Sequence, residues 1–404
     1  MHTYSAQWIV PIVGPPIHNG FITVNHEDRI ETIGGGSPAH ATALGNVVIL
    51  PVLVNAHTHL ELSFLRGRVP PSDSFHDWVT SLMQSRRSMR DPESPEILDG
   101  ARQAIVEARR TGTGLIGDIS NTLVTVDLLR AATMPAHVFY EQIGFNIPDV
   151  SVKIAEARAV VTALARDAGD AIRVSLAPHA PYSVSPALFK AIRASLDETR
   201  GSVTSVHLGE SPQEIQFLRD GTGPARTMLE RLGVWTDEWT PPAASPVEYL
   251  ARLGFIDAST AVVHGVQFDA DDLARLKAIG ATLVSCPRSN RHVGAGSPPL
   301  ERFYESGVRV AFGTDSLASV ADLNMFNELA EARRIAPSVS ARRLLESATV
   351  NGARALGRDS EFGSFEIGKR FAITTVLLPA RPVSDVEEYL VDGVEPEMIN
   401  RLPL

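Results

Sequence analysis

Cysteine is almost absent: Cys286 is the only one in 404 residues. That rules out an internal disulfide and a cysteine-built zinc centre, and it fits a reducing compartment. Lysine is scarce too. Lys153, Lys190, Lys277 and Lys369 are the full set, and none of them closes an apolar strand-like run. No apolar run approaches the ~18 residues of a membrane span. Met1–Val10 has neither a basic start nor a small-residue cleavage site, so no export signal is expected and the expected location is the cytoplasm. The net charge of -10 leaves no electrostatic footprint for nucleic acid. With 44% hydrophobic and 21% charged residues, the rest is an ordinary globular composition, long enough for one large domain or two to three smaller ones.

What is present begins at Val47. Val47–Leu50, continued through Val52–Val54, reads as one buried strand rich in β-branched residues, and it runs into His57-Thr58-His59. Residues i and i+2 of a strand share a face, so His57 and His59 project together. Neutral imidazoles side by side suit Zn or Fe. Ahead of this strand, Gln7–Val13, Gly20–Val24 and Arg29–Ile33 read as short strands broken by Pro15-Pro16 and Gly34-Gly35-Gly36.

After it, strand-like and helical stretches alternate. The further strands are expected at Gly114–Ile119, Ala136–Ile143, Ile172–Ala177, Val203–His207, Ala261–His264, Ala281–Ser285 and Val308–Phe312. Among the helices between them, Pro95–Arg110 carries Ile97, Ala101, Ala104, Ile105 and Ala108 on one face, Val152–Ala168 is continuous, and Gln213–Leu232 is largely helical. Eight such alternations predict an α/β chain with a (β/α)8 TIM-like barrel over residues 52–358. Short strands return at Gly363–Lys369 and Ile373–Leu378. They predict a small β-sandwich domain built from both chain ends, residues 1–51 and 359–404.

In a parallel barrel the chemistry sits at the C-terminal strand ends. Here those ends carry His57 and His59, then His179, His207, His264 and Asp315. Twelve histidines placed at random would seldom put five there. A divalent ion needs three or four nitrogen or oxygen ligands and one open position, which His57, His59, His207 and Asp315 supply. Glu210 stands three residues beyond His207 and can reach the pocket without binding the ion. A carboxyl in dry surroundings can carry a proton to a ring nitrogen. His264 is placed to orient an attacking water. Glu61, just after the histidine pair, is expected to orient one of them or to satisfy a loop. Cys286 reads as a small buried residue, and Ser289 and Asn290 as supports.

Asn55-Ala56-His57-Thr58-His59, Ser205-Val206-His207-Leu208-Gly209-Glu210, Val263-His264-Gly265, Gly313-Thr314-Asp315-Ser316 and Gly363-Ser364 with Gly368-Lys369 together resemble the metal-dependent amidohydrolase superfamily over nearly the whole chain. Binuclear branches of that family often bridge their metals with a carboxylated lysine near the fourth strand. This chain has Pro178-His179-Ala180-Pro181 there, so it is similar to the mononuclear, adenine-type deaminase branch, with one divalent ion, Zn first and Fe second. Its closest likeness, carried by Phe75-His76-Asp77-Trp78, Pro178–Ser185, Gly221-Thr222-Gly223 and Cys286–Asn290, is to the aminodeoxyfutalosine deaminases of menaquinone biosynthesis.

The resemblance implies that Asp315 and His264 position and deprotonate a water, that it attacks an amino-bearing ring carbon, and that ammonia leaves after Glu210 protonates the ring. It also implies that His179 touches the nucleoside. Related S-adenosylhomocysteine deaminases place a tryptophan and then a ribose-binding glutamate after the first strand. Trp78 matches the first, but Arg87 stands at the second position. Arg86, Arg87 and Arg90 are therefore candidate clamps for a substrate carboxylate, with Trp78 against an aromatic ring, or else an exposed basic run. Deamination of S-adenosylhomocysteine, methylthioadenosine or another amino-heterocycle, cyclic-amide hydrolysis and a silent scaffold stay open. The partners expected are a small-molecule substrate and at most a second copy of the chain, with neither nucleic acid nor membrane.

Overall fold

A computed structural model describes residues 1–87, 91–167, 169–199 and 201–400. Arg90, Ala168 and the side chain of Arg87 lie outside the described residues. The N-terminal segment forms β1 (His2–Ile9), β2 (Ile17–Val24), β3 (Ile30–Gly35), β4 (Thr42–Ala43) and β5 (Val47–Pro51). Then come β6 (Leu53–Thr58), β7 (Thr113–Ser120), β8 (Ala136–Gln142) and β9 (Ile172–Pro178), and β10 (Thr204–Leu208), β11 (Thr260–His264), β12 (Thr282–Ser285) and β13 (Arg309–Phe312). β14 (Ile373–Leu377) and β15 (Ile399–Asn400) close the chain.

The strands of the two chain ends share one seven-stranded sheet, ordered β15-β14-β5-β1-β2-β3 with β4 on β1. Period-2 burial along β2 puts Ile22 and Val24 beneath the sheet with Ile9, Ile49, Phe365 and Phe371. The strand expected to run unbroken from Val47 to Val54 is in fact two. β5 pairs antiparallel with β14, whereas β6 pairs parallel with β7, and only Val52 separates them. Pro51 has no N–H for a continuing ladder, and Val52 donates instead to the Ala372 carbonyl at 3.1 Å. The expected strand at Gly363–Lys369 is a run of turns, because Gly363 and Gly368 take φ of 89° and 88°.

The remaining eight strands form two parallel sheets, β6-β7-β8-β9 and β10-β11-β12-β13. All eight run as near-continuous buried segments, the pattern of a sheet covered on both faces. Backbone hydrogen bonds join the sheets at both seams, His207 N–H to the His179 carbonyl at 2.9 Å and Asp315 N–H to the His57 carbonyl at 3.0 Å. Helices separate the strands. Several start with serine then proline: Ser185, Ser211 and Ser245 each accept a backbone N–H from inside the helix, and Pro186, Pro212 and Pro246 occupy the first turn, where no N–H is needed. Pro95–Arg110 buries the five expected residues. The Gln213–Leu232 stretch is two helices, Pro212–Asp220 and Pro224–Arg231, parted by Gly221 at φ 70°. Among the described residues, no helix is long and apolar enough to cross a membrane.

Candidate active site

The C-terminal ends of β6, β9, β10, β11 and the loop after β13 bring the histidines together. The ring centroids of His57 lie 5.0 Å from His59, 4.9 Å from His207 and 5.7 Å from His264. His207 Nε2 is 3.3 Å from His59 Nε2. Asp315 Oδ1 lies 3.5 Å from His59 Nε2 and 3.9 Å from His57 Nε2. His57, His59 and Asp315 offer ligand atoms within 4.8 Å of one another, as do His57, His207 and His264.

This crowding relies on unusual backbone. Asp315 and His264 take φ of 62° and 77°, a region costly to any residue with a Cβ and found at sites where the surroundings fix the chain. Asp315 is held by the seam bond, by Thr58 Oγ1 on its carbonyl at 2.8 Å, and by Ser289 Oγ and Ser316 N–H on its carboxylate at 2.6 and 2.8 Å. Gly313 lets the strand ends close up, since a Cβ there would meet the His57 carbonyl oxygen at 2.7 Å. Asn55 ties β6 to the same loop, donating to Thr314 Oγ1 at 2.8 Å and accepting from Thr314 N–H at 3.1 Å.

His57 is fully buried, and neither ring nitrogen has a hydrogen-bond partner. Buried polar atoms rarely go unmatched, so two on one ring point to a group bound there. Burial, then the neighbouring His207, holds the His57 pKa well below the ordinary value. Burial pushes His59 down to about 3 and lowers His207 as well. The rings are therefore neutral, the form that donates a lone pair to a metal. The donor set of three imidazoles and a carboxylate fits a divalent ion such as Zn.

Glu210 faces this cluster, with Oε1 3.5 Å from His264 Nε2. Burial, then the charge of Asp315, raises its pKa well above the carboxylic range. Its backbone is pinned by Glu214, whose two carboxylate oxygens accept the Gly209 and Glu210 N–H groups at 2.9 and 3.2 Å. Asn290 Nδ2 pairs with His264 Nδ1 at 3.0 Å. His179 stands beside His207, centroids 4.9 Å apart; Ser183 takes its Nδ1 at 2.6 Å, leaving Nε2 free.

Other candidates fall elsewhere. Trp78 is packed among Phe64, Leu65, Phe75 and Val293. Glu61 accepts from Ser120 Oγ, Thr122 N–H and Thr122 Oγ1, so it satisfies a loop and does not orient a histidine. Arg86 donates to Asn121 Oδ1 at 3.1 Å and lies 3.7 Å from Glu61. Its helix, Phe75–Arg87, crosses the strand ends: at the other end Phe75, His76 and Val79 line a hollow with Tyr182, Gln213 and Met228. The sequence reading missed Glu141 at the end of β8, buried and within 4.8 Å of ligand atoms of His179 and His207. The strand-end criterion that found His179 would have found it, had acids been weighed at every end.

The amidohydrolase family model matches residues 48–396. An aminodeoxyfutalosine deaminase of Deinococcus radiodurans is 30% identical over 336 residues, 80% of this chain and 77% of that protein. A 5-methylthioadenosine/S-adenosylhomocysteine deaminase of Moorella thermoacetica is 30% identical over 404 residues, 95% of this chain and 88% of that protein. The crystal structure of an adenosine deaminase from Xanthomonas campestris with bound zinc superimposes with a TM-score of 0.81 at 26% identity, covering 98% of this chain and 90% of the other.

Proposed function

This chain belongs to the amidohydrolase family, and from that membership we propose that it is a hydrolytic deaminase of an adenine nucleoside derivative, with aminodeoxyfutalosine first among substrates. The observation that carries the reading is the unpartnered His57 ring inside a His/Asp cluster, with Glu210 beside it. The hydrogen-bonded seams support closure of the eight strands into one (β/α)8 barrel, with residues 1–51 and 359–404 as a small β-domain.

His57, His59, His207 and Asp315 would hold one divalent ion, Zn first. When bound, such an ion lowers the pKa of water and so supplies a nucleophile at neutral pH. The residues do the rest. Asp315 and His264 face the position from which water attacks the amino-bearing ring carbon, and take its proton. Glu210, kept protonated by its dry setting, gives a proton to the adjacent ring nitrogen. The carbon then carries four substituents; the proton taken from water passes to the amino group, the remaining hydroxyl returns its proton to Glu210, and ammonia leaves as the C–N bond breaks and the carbonyl forms. His179 Nε2 is the free donor or acceptor for the base.

The hollow beside Glu214 has apolar walls from Phe75, Val79, Tyr182, Ala225 and Met228. They enclose only about 20 Å³ of free space, too little for an aromatic ring, so a benzoate tail would lie toward the other end of the helix with its carboxylate on Arg86. A second reading is favoured by the same walls. Arg86 already has partners, and a small apolar hollow suits the methylthio group of methylthioadenosine, as in the Moorella relative. The test is ammonia release from aminodeoxyfutalosine, methylthioadenosine, S-adenosylhomocysteine and adenosine by protein of known metal content. The first is expected to have the highest kcat/KM, and a higher value for methylthioadenosine would hand the assignment to the second reading.

A further inference from the structure

We infer that Glu141 reads the sugar of the substrate: its free carboxylate oxygen accepts a ribose hydroxyl. The inference rests on the nucleoside reading above and names a residue outside the metal and proton-transfer set.

Glu141 ends β8, one strand before His179 and two before His207, so it opens on the same cleft. Its two oxygens are treated differently. Asn121 Nδ2 donates to Oε2 at 2.8 Å, and Asn121 in turn accepts from Arg86, so the carboxylate is fixed in orientation. Oε1 is shut off from solvent and has no hydrogen-bond partner. The nearest candidate is His207 Nδ1 at 3.5 Å, but that nitrogen is hydrogen-bonded to the His179 carbonyl at 3.2 Å. One ring N–H serves one good acceptor, and the carbonyl is the nearer.

A buried, oriented acceptor with no donor in the protein is matched by something the protein binds. A second cation would need His207, which already faces the His57 cluster. A hydroxyl needs only one lone pair and adds no charge. A nucleoside whose base lies against Glu210 and His179 brings hydroxyls of its ribose to the neighbouring strand end, which is Glu141.

The test is discrimination between adenosine and its 2′-deoxy and 3′-deoxy analogues, read as kcat/KM for ammonia release by metal-loaded enzyme, in the unmodified protein, Glu141→Gln and Asn121→Ala. The unmodified enzyme is expected to favour adenosine over at least one analogue by about 10- to 100-fold, the worth of a hydrogen bond to a charged acceptor. Glu141→Gln is expected to bring that ratio to about threefold, what a neutral acceptor retains. The loss should fall on KM more than kcat, with metal content unchanged. Asn121→Ala unfastens the carboxylate without removing it and is expected to fall between; it carries the test if Glu141→Gln folds poorly. An unchanged ratio, or equal losses on all three nucleosides, makes Glu141 a support for His207 and overturns the inference. Loss of a metal equivalent in Glu141→Gln makes it a ligand, with the same consequence. If the unmodified enzyme releases ammonia from no adenine nucleoside, the nucleoside reading falls first and this inference with it.

Discussion

The two ends of the eight parallel strands both carry polar groups and use them differently. At the N-terminal end several groups are tied to neighbouring loops and strands. Arg358, almost fully buried, donates to Glu361 at 2.8 Å and to the Ala171 carbonyl at 3.2 Å. The exposed Arg173 bonds the Gly357 carbonyl at 2.8 Å, Arg309 the Gly280 carbonyl at 3.0 Å, and His137 Nε2 pairs with Ser175 Oγ at 2.7 Å, although His137 Nδ1 has no partner. At the C-terminal end both His57 nitrogens and one Glu141 oxygen are unmatched. Matched groups tie strands to loops, whereas unmatched ones leave valence for a ligand. A single unmatched atom does not mark chemistry, since His137 Nδ1 also lacks a partner; two on His57 and one on Glu141, gathered on one cleft, do.

The comparison breaks most visibly at the C-terminal end. His57→Ala or His207→Ala should lose most of about one bound metal per chain, and activity with it; elemental analysis beside an ammonia assay reads both, and full activity after exhaustive metal removal would sink the scheme. Glu210→Gln should keep the metal and lose roughly 10²–10⁴ in kcat. Metal loss in that variant would make Glu210 a ligand. At the N-terminal end, Arg358→Ala should cost about 2–4 kcal/mol of stability in urea unfolding, from lost packing and a lost buried pair. Its KM should stay unchanged, and a kinetic phenotype without a stability loss would erase the distinction between the ends.

Two smaller effects sharpen it. Arg86→Ala should lower kcat/KM for aminodeoxyfutalosine by roughly 10- to 100-fold while leaving methylthioadenosine nearly untouched. Equal loss on both would make Arg86 a tie between Asn121 and Glu61 only. Asp118 is a matched group at the functional end: it accepts from Leu60 N–H at 2.9 Å and Thr125 Oγ1 at 2.6 Å, and burial pushes its pKa up to about 8. A carboxyl whose pKa is raised on folding stabilises fully below its unfolded value near ~4, and that stability is lost as pH rises through about 8. Melting temperature should therefore fall between pH 6 and 8.5, and Asp118→Asn should flatten that fall by up to ~1.4 kcal/mol per pH unit. An identical slope in the variant would remove Asp118 as its source.

That these histidines and acids gather could be read from sequence because each ends or closely follows an apolar run, and parallel strands place such ends on one rim. His57, His207, His264 and Asp315 needed no contact information beyond that. Glu141 escaped because an acid closing a strand looks like any solvated end; only the missing partner on one oxygen sets it apart, and partners are a three-dimensional fact. The same holds for Glu61 and Arg86, whose partners Thr122 and Asn121 come from the next strand's loop. In the fold, helix starts were legible through Ser-Pro pairs, whereas the break at Pro51 was not, since both halves are equally apolar. What separates them is the choice of neighbouring strand, Ile373–Leu377 for one and Thr113–Ser120 for the other.

That break has a consequence for biosynthesis. β5 is made early, next to β1, but its antiparallel partner β14 is made only after both parallel sheets have been encoded. At ~5–20 residues per second of translation, the wholly buried edge Val47–Pro51 waits tens of seconds for its neighbour. A nascent chain in that interval displays an apolar strand edge of the sort that captures other chains. Yield in the cell should thus depend on whatever shields that edge on the ribosome, and a truncation before Ile373 should aggregate even though every residue of the proposed metal site has already been made.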